Sequence, residues 1–175
     1  LYLSNYKSPL EVKKIQSLGK DIDKIVSTSR IAISLKKNPS QPLQRGDVLS
    51  NNLLDQSEYL ILETKNETLS FEAKDTTRAY IGTSNQIVKQ VKCLSVEGKN
   101  HVVIQLDKPI SAVEGQNILL HNLAKNDFLG GEIILKTNNN FQIKKLLKNK
   151  EILNKNLLLE ILTFTPKKYI NKNIS

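Results

Sequence analysis

The chain has 175 residues, 39% of them hydrophobic and 25% charged, with 26 Lys and Arg against 17 Asp and Glu and a net charge of +9. That length suits one medium domain or two small ones, and the balance suits a folded globular protein. No apolar run approaches the roughly 20 residues a membrane span needs, no secretory leader opens the chain, and the lone Cys93 excludes an internal disulfide, so the expectation is a cytoplasmic protein with no membrane contact.

The basic excess favours a polyanionic partner. The other reading is coding bias: Asn, Lys and Ile are abundant throughout, and lysines can simply solvate a surface. Aromatic residues make up only 5%, which leaves little material for base-stacking platforms.

In chain order, Leu1 to Leu3 alternates and reads as the end of a strand. Leu1 is not an initiator, and the sequence reads as a piece of a longer chain. Asn5 to Pro9 is a polar turn. Glu11 to Leu18 carries Val12, Ile15 and Leu18 and reads as a strand with a bulge near Lys14. Gly19-Lys20-Asp21 reads as a turn, and Asp21 to Ile25 as a single helical turn. Ser29 to Leu35 alternates cleanly, with Ile31, Ile33 and Leu35 on one side and Arg30, Ala32 and Ser34 on the other. Pro39 and Pro42 make Lys36 to Gln44 a loop. In Arg45-Gly46-Asp47 the glycine turns the backbone into Val48-Leu49, and Asp47 bonds back to its own loop. An adhesion motif is the lesser reading of those three residues.

Asn51 to Ser57 reads as a linker. Strands resume over Tyr59 to Thr64, Thr76 to Ile81, Gln86 to Val96, His101 to Asp107, Asn117 to Asn122 and Gly131 to Lys136. Gly82-Thr83, residues 97–100, Pro109, Glu114-Gly115 and residues 125–127 separate them as turns. Short strands so punctuated predict an antiparallel sandwich or barrel. Val102, Ile104 and Leu106 form an inner face. Lys89 interrupts an Ile87, Val91, Cys93 face, and a bulge there repairs it. Gly130-Gly131 reads as a tight strand entry. Beyond residues 138–140, a linker signal, the Leu, Ile and Lys spacing of 144–162 is helical, Pro166 stops it, and a basic tail follows.

No assembled chemistry accompanies these elements. There is no G-x-x-x-x-G-K-[ST] phosphate loop. Cys93 and two distant histidines do not make a zinc site, and no Ser-His-Asp set is assembled. No catalytic residue, metal site or cofactor is expected in this stretch, and it is not expected to be an enzyme.

Three segments carry a resemblance. Val12-Lys-Lys-Ile-Gln-Ser-Leu-Gly-Lys-Asp-Ile22, Thr28-Ser-Arg-Ile-Ala-Ile-Ser-Leu35 and Arg45-Gly-Asp-Val-Leu49 are similar, in order and spacing, to V-R-S-I-Q-x-H-G-K-D-V, G-Q-R-V-A-L-N-L and R-G-D-V-L. Those segments stand in the second domain of the selenocysteine-specific elongation factor (SelB) family of translational GTPases. Further on, Gly82-Thr83, Leu106-Asp-Lys-Pro-Ile110 and Leu129-Gly-Gly-Glu-Ile133 resemble signposts of that family's third domain. The resemblance covers roughly residues 1–135. The sequence departs from the pattern where Thr28-Ser29 replaces Gly-Gln, where His121 stands for a frequent arginine, and where Glu132 stands for a third glycine.

The resemblance implies a mainly β fold: two small antiparallel β-barrels of the translation-factor type, the first truncated, followed by a short helical C-terminal segment. It implies residues 1–52 as the end of the second-domain barrel, 53–137 as the third-domain barrel, and 138–175 as a helical linker or the start of a winged-helix region. A parent protein would bind GTP and Mg in a domain outside this chain. It would carry selenocysteinyl-tRNA to the ribosome at a recoded UGA codon and bind an mRNA hairpin through a further C-terminal region. Arg30 would line the selenocysteine pocket, where a fixed guanidinium favours an anionic selenolate over a neutral serine hydroxyl. The bland alternative is an arginine on an outer strand face, or one paired with Asp21 or Asp23. Arg78, Tyr80, Lys89, Lys92 and His121 are the tRNA-contact candidates, against the reading of an ordinary solvated face. A structural or protein-binding barrel, or a factor for ordinary aminoacyl- or initiator tRNA, stands as the alternative function.

Overall fold

A computed structural model describes residues 1–4, 6, 8–25, 29–37, 39–40, 42–64, 77–96, 98–137 and Ile143. The helical pattern over 144–162, the signal at 138–140, Pro166 and the basic tail lie outside the described residues, as do Thr28 and Thr76. Eleven strands follow in order: β1 Tyr2–Leu3, β2 Val12–Ser17, β3 Lys20–Asp21, β4 Ala32–Leu35, β5 Leu49–Ser50, β6 Gln56–Thr64, β7 Thr77–Ile81, β8 Ser84–Val96, β9 Lys99–Ser111, β10 Asn117–Asn122 and β11 Asp127–Thr137.

The strands after residue 55 close an antiparallel barrel in the order β10-β11-β6-β9-β8-β7, with β7 pairing back onto β10. Period-two alternation explains it: Leu60 and Leu62, Ala79 and Ile81, Val102, Ile104 and Leu106, and Ile118 and Leu120 all enter one core cluster. The earlier strands form a three-stranded sheet, β3-β2-β4, and a two-stranded one, β1-β5. As expected, the fold is mainly β with a closed antiparallel barrel; the strands before it form two small sheets.

Both expected bulges are present. The β2–β4 register shifts between Val12 and Lys14, and the β8–β9 register shifts between Val88 and Gln90. The second shift changes which residues face in. Val88 is buried with Val91 and Cys93 packed on the core, while Ile87 faces out. An added residue inverts the alternation on one side of the bulge, so Ile87 does not share the face of Val91.

Other expectations need correction. The turn after β2 is Leu18-Gly19, both at positive φ, and Lys20–Asp21 is already a strand, paired with Ser17 and Gln16. No helical turn forms over 21–25, because Asp21 is held in the ladder. The linker stops at Asp55, since Gln56 and Ser57 pair with Ser111 and Ile110. Pro109 lies inside β9 rather than in a turn. Pairing with β8 ends at Leu106 and pairing with β6 skips from Gln105 to Ile110, so a residue without an N–H breaks no ladder bond there. Gly130 and Gly131 lie inside β11, not at its entry. A Cβ on Gly131 would stand 3.0 Å from the Glu63 carbonyl oxygen, so only glycine lets β11 approach β6 this closely.

A second buried face lies outside the barrel. Ile61, Val103, Leu94 and Leu135 are fully or nearly fully buried yet stand apart from the interior cluster. Ile61 opposes both Val103 and Leu135. This wall of β8-β9-β6-β11 is therefore covered on both sides.

Candidate nucleic-acid interface

Arg30 stands exposed just before β4. Its carbonyl accepts a hydrogen bond from the Ser17 hydroxyl at 3.2 Å, which fixes the chain beside β2. The carboxylate offered as its partner is engaged elsewhere: Asp21 accepts from Gln16 Nε2 at 2.8 Å and pairs with Lys14 Nζ at 2.9 Å. Those bonds hold the Asp21 carboxyl below its ordinary range, Gln16 contributing most. Among the described residues Arg30 has no ion-pair partner. The alternative of an Arg30–Asp21 pair is not realised.

At the other end of β4, a cavity of about 320 Å³ is lined by Tyr6, Pro9, Leu10, Glu11, Lys36 and Lys37. There Lys36 Nζ lies 2.7 Å from Glu11 Oε2. The pairing lowers the Glu11 pKa and raises that of Lys36.

The tRNA-contact candidates divide between two walls of the barrel. On β7, Thr77, Ala79 and Ile81 are buried, so Arg78 and Tyr80 face out. Register then places His121 opposite Arg78 and Leu119 opposite Tyr80. Ile87 and Asn85 complete the rows on β8, and Phe128 and Gly130 on β11. Two four-residue rows result: Ile87–Arg78–His121–Phe128 and Asn85–Tyr80–Leu119–Gly130. Three of the candidates thus share one face. Lys92 does not, for it opposes Val103 on the covered wall. Lys89 sits at the bulge, with Nζ 3.1 Å from Asp107 Oδ1.

Phe128 was missed by sequence reasoning. Its ring stacks on His121, with centroids 4.0 Å apart and planes 16° apart. The signal was too weak to find it: an exposed aromatic among turn residues gains meaning only from its cross-strand partner. His121 Nε2 lies 3.2 Å from Asn126 Oδ1. The turn carrying Asn126 is held by Asn122 Oδ1, which accepts from the backbone N–H groups of Ala124 and Lys125 at 3.1 and 3.2 Å.

The barrel also has a groove of about 570 Å³ lined by Glu63, Asn117, Ile118, Gly130, Gly131, Glu132 and Ile134. Glu63 is paired there with Lys99 Nζ at 3.0 Å. Gly130-Gly131 runs within a strand rather than leading into a helix, and among the described residues no group of three or more His, Cys, Asp or Glu could hold a metal ion. Nor, among them, is any helix long and apolar enough to cross a membrane.

Two solved structures share this fold. The chain is similar to a bacterial selenocysteine-specific elongation factor, EF-Sec, at 21% identity and a TM-score of 0.58, covering 86% of this chain and 24% of that one. It is similar also to the elongation factor SelB of Methanococcus maripaludis in its apo form, at 13% identity and a TM-score of 0.55, covering 74% of this chain and 36% of that one. The fold is that of SelB-type translation factors. The chain spans about a quarter to a third of the length of these structures. No protein-family model matches it, and no curated protein does.

Proposed function

We propose that this chain is the tRNA-binding β portion of a selenocysteine-specific elongation factor. In this reading residues 1–52 belong to the second domain, 53–137 are the third, and 138–175 lead toward the mRNA-binding arm. The parent protein binds GTP and Mg through a domain outside this chain, works in the cytoplasm, and delivers selenocysteinyl-tRNA to the ribosome at a recoded UGA codon. Arg30 contributes to the selenocysteine pocket, and Arg78, Tyr80 and His121 contact the tRNA.

The observation that carries the reading is Arg30 itself: an exposed guanidinium at the position of the family's pocket arginine, with Asp21 taken by Lys14 and Gln16. A cation with no ion-pair partner among the described residues, leading into the edge strand β4, discriminates an anionic selenolate from a hydroxyl. The fold likeness to two selenocysteine factors supports it.

The test uses the full-length protein and compares its affinity for selenocysteinyl- and seryl-tRNA. Arg30→Ala is expected to weaken selenocysteinyl-tRNA binding and leave seryl-tRNA binding nearly unchanged. Equal selectivity in variant and wild type would remove Arg30 from the pocket. A wild-type protein that binds both tRNAs alike would favour a general aminoacyl-tRNA factor.

A further inference from the structure

The charge of this protein is not where a phosphate-reading barrel would need it. Residues 1–52 carry nine Lys and Arg against four Asp and Glu, residues 53–137 nine against eleven, and residues 138–175 eight against two. Residues 53–137 are thus slightly acidic in sequence, while their six barrel strands carry six Lys and Arg against five Asp and Glu. The two outward rows contain Arg78 and His121 and no carboxylate. They also contain Phe128, 53% exposed, and Leu119, 40% exposed.

We propose that Phe128 is an RNA-stacking residue, and that the Phe128–His121 pair receives one unstacked nucleotide on the free face of the Phe128 ring. The inference rests on the tRNA-binding reading above and specifies how this wall does it. His121 occupies one face of Phe128, and the His121 ring is tied to Asn126. The two rings therefore form a short stack whose orientation is fixed before any ligand arrives, so little side-chain freedom is lost on binding. A nucleobase extends such a stack by the same face-to-face contact, whatever its identity. Arg78, directly across the β7–β10 ladder from His121, supplies the one formal cation of the rows and reaches the adjoining phosphate. The absence of carboxylates within the rows lets an anionic strand approach this face. A protein partner would fit the apolar residues equally, but it would have no need of a clearing free of negative charge around Arg78.

The test measures binding of the 175-residue chain to a fluorescein-labelled single-stranded RNA 12-mer and to a 12-base-pair RNA duplex, across a salt series. Phe128→Ala is expected to weaken single-strand binding about tenfold, as loss of one stacked base does, with an unchanged salt slope, because no phosphate contact is removed. Phe128→Trp is expected to restore it. Arg78→Ala is expected to reduce the salt slope by about one. Duplex binding, which offers no free base, is expected to be equal in wild type and Phe128→Ala. Wild-type affinity in Phe128→Ala, or no rescue by tryptophan in a variant with native melting temperature, would overturn the stacking role and leave the tRNA reading standing. A wild-type chain that binds neither RNA, nor an unfractionated tRNA pool, would overturn both.

Discussion

Lys14 Nζ lies 2.9 Å from Asp21 Oδ2, an ion pair that ties β2 to β3 in the sheet that Arg30 leads into. Gln16 supports it from the paired position on β2. Lys14 and Gln16 keep the carboxylate occupied on β3, which β2 separates from the strand that Arg30 leads into.

The first prediction follows from that arrangement. Lys14→Met in the full-length protein releases Asp21 and gives Arg30 a competing anion. Selectivity for selenocysteinyl- over seryl-tRNA should fall part of the way toward that of Arg30→Ala, with little change in melting temperature because the pair is exposed. The double variant Lys14→Met/Asp21→Asn should recover it. Selectivity that ignores Lys14 altogether would mean that Asp21 does not govern Arg30.

Gly46 supports a second prediction. Its φ is +100°, and a Cβ there would stand 3.1 Å from Ser84 Cα. The Arg45-Gly46 turn thus packs on the start of β8, against the closed barrel. Two costs add for Gly46→Ala: about 1–2 kcal/mol for the left-handed backbone, and a further amount for pushing Ser84 away. Ser84→Gly removes only the side-chain part of the contact. A double-mutant cycle by urea unfolding should therefore show partial relief, with the φ cost persisting. Full recovery would mean that contact alone excludes the side chain.

How much of this was legible beforehand follows from where one face is buried and where two are. Val102, Ile104 and Leu106 could be read as an inner face because alternation survives on their strand. Val103 could not, because the outer wall is covered as well and the run from His101 to Ile104 is buried throughout. Lys89 correctly signalled a bulge, but the sequence does not say on which side alternation inverts, and Ile87 was placed inward for that reason. Lys20-Asp21 has turn composition, yet ladder bonds to Ser17 and Gln16 hold it as a strand. The candidate interface was half legible. Arg78 and Tyr80 are two apart on one strand, whereas His121 and Phe128 join them only through register.

The third prediction concerns acid stability. His101 is buried on β9 between Leu94 and Glu63, with Lys99 close by. Burial pushes its pKa below the ordinary 6.5, outweighing the attraction of Glu63. The unfolded chain therefore binds this proton more readily than the folded one. Stability from the neutral imidazole is complete above pH 6.5 and is lost as pH falls from there toward the lower folded value. The melting temperature should drop between pH 7.5 and pH 5.5, a window above the titration of the carboxylates. His101→Gln should flatten that drop. An equally steep profile in the variant would assign the acid sensitivity to another group.

The last prediction is a stabilising one. Leu18 is 96% exposed and has φ +50°, followed by Gly19 at φ +77°. Two successive positive φ values in a tight connection between β2 and β3 are the geometry that Asn-Gly fills best. Leucine buries nothing there and strains its own backbone, whereas asparagine tolerates the left-handed region. Leu18→Asn should raise stability by about 1 kcal/mol, read as a higher urea midpoint at unchanged m-value. It should also reduce self-association, by removing an isolated apolar side chain from a surface turn. A fall in the midpoint would show that the strain at Leu18 is not what limits this turn.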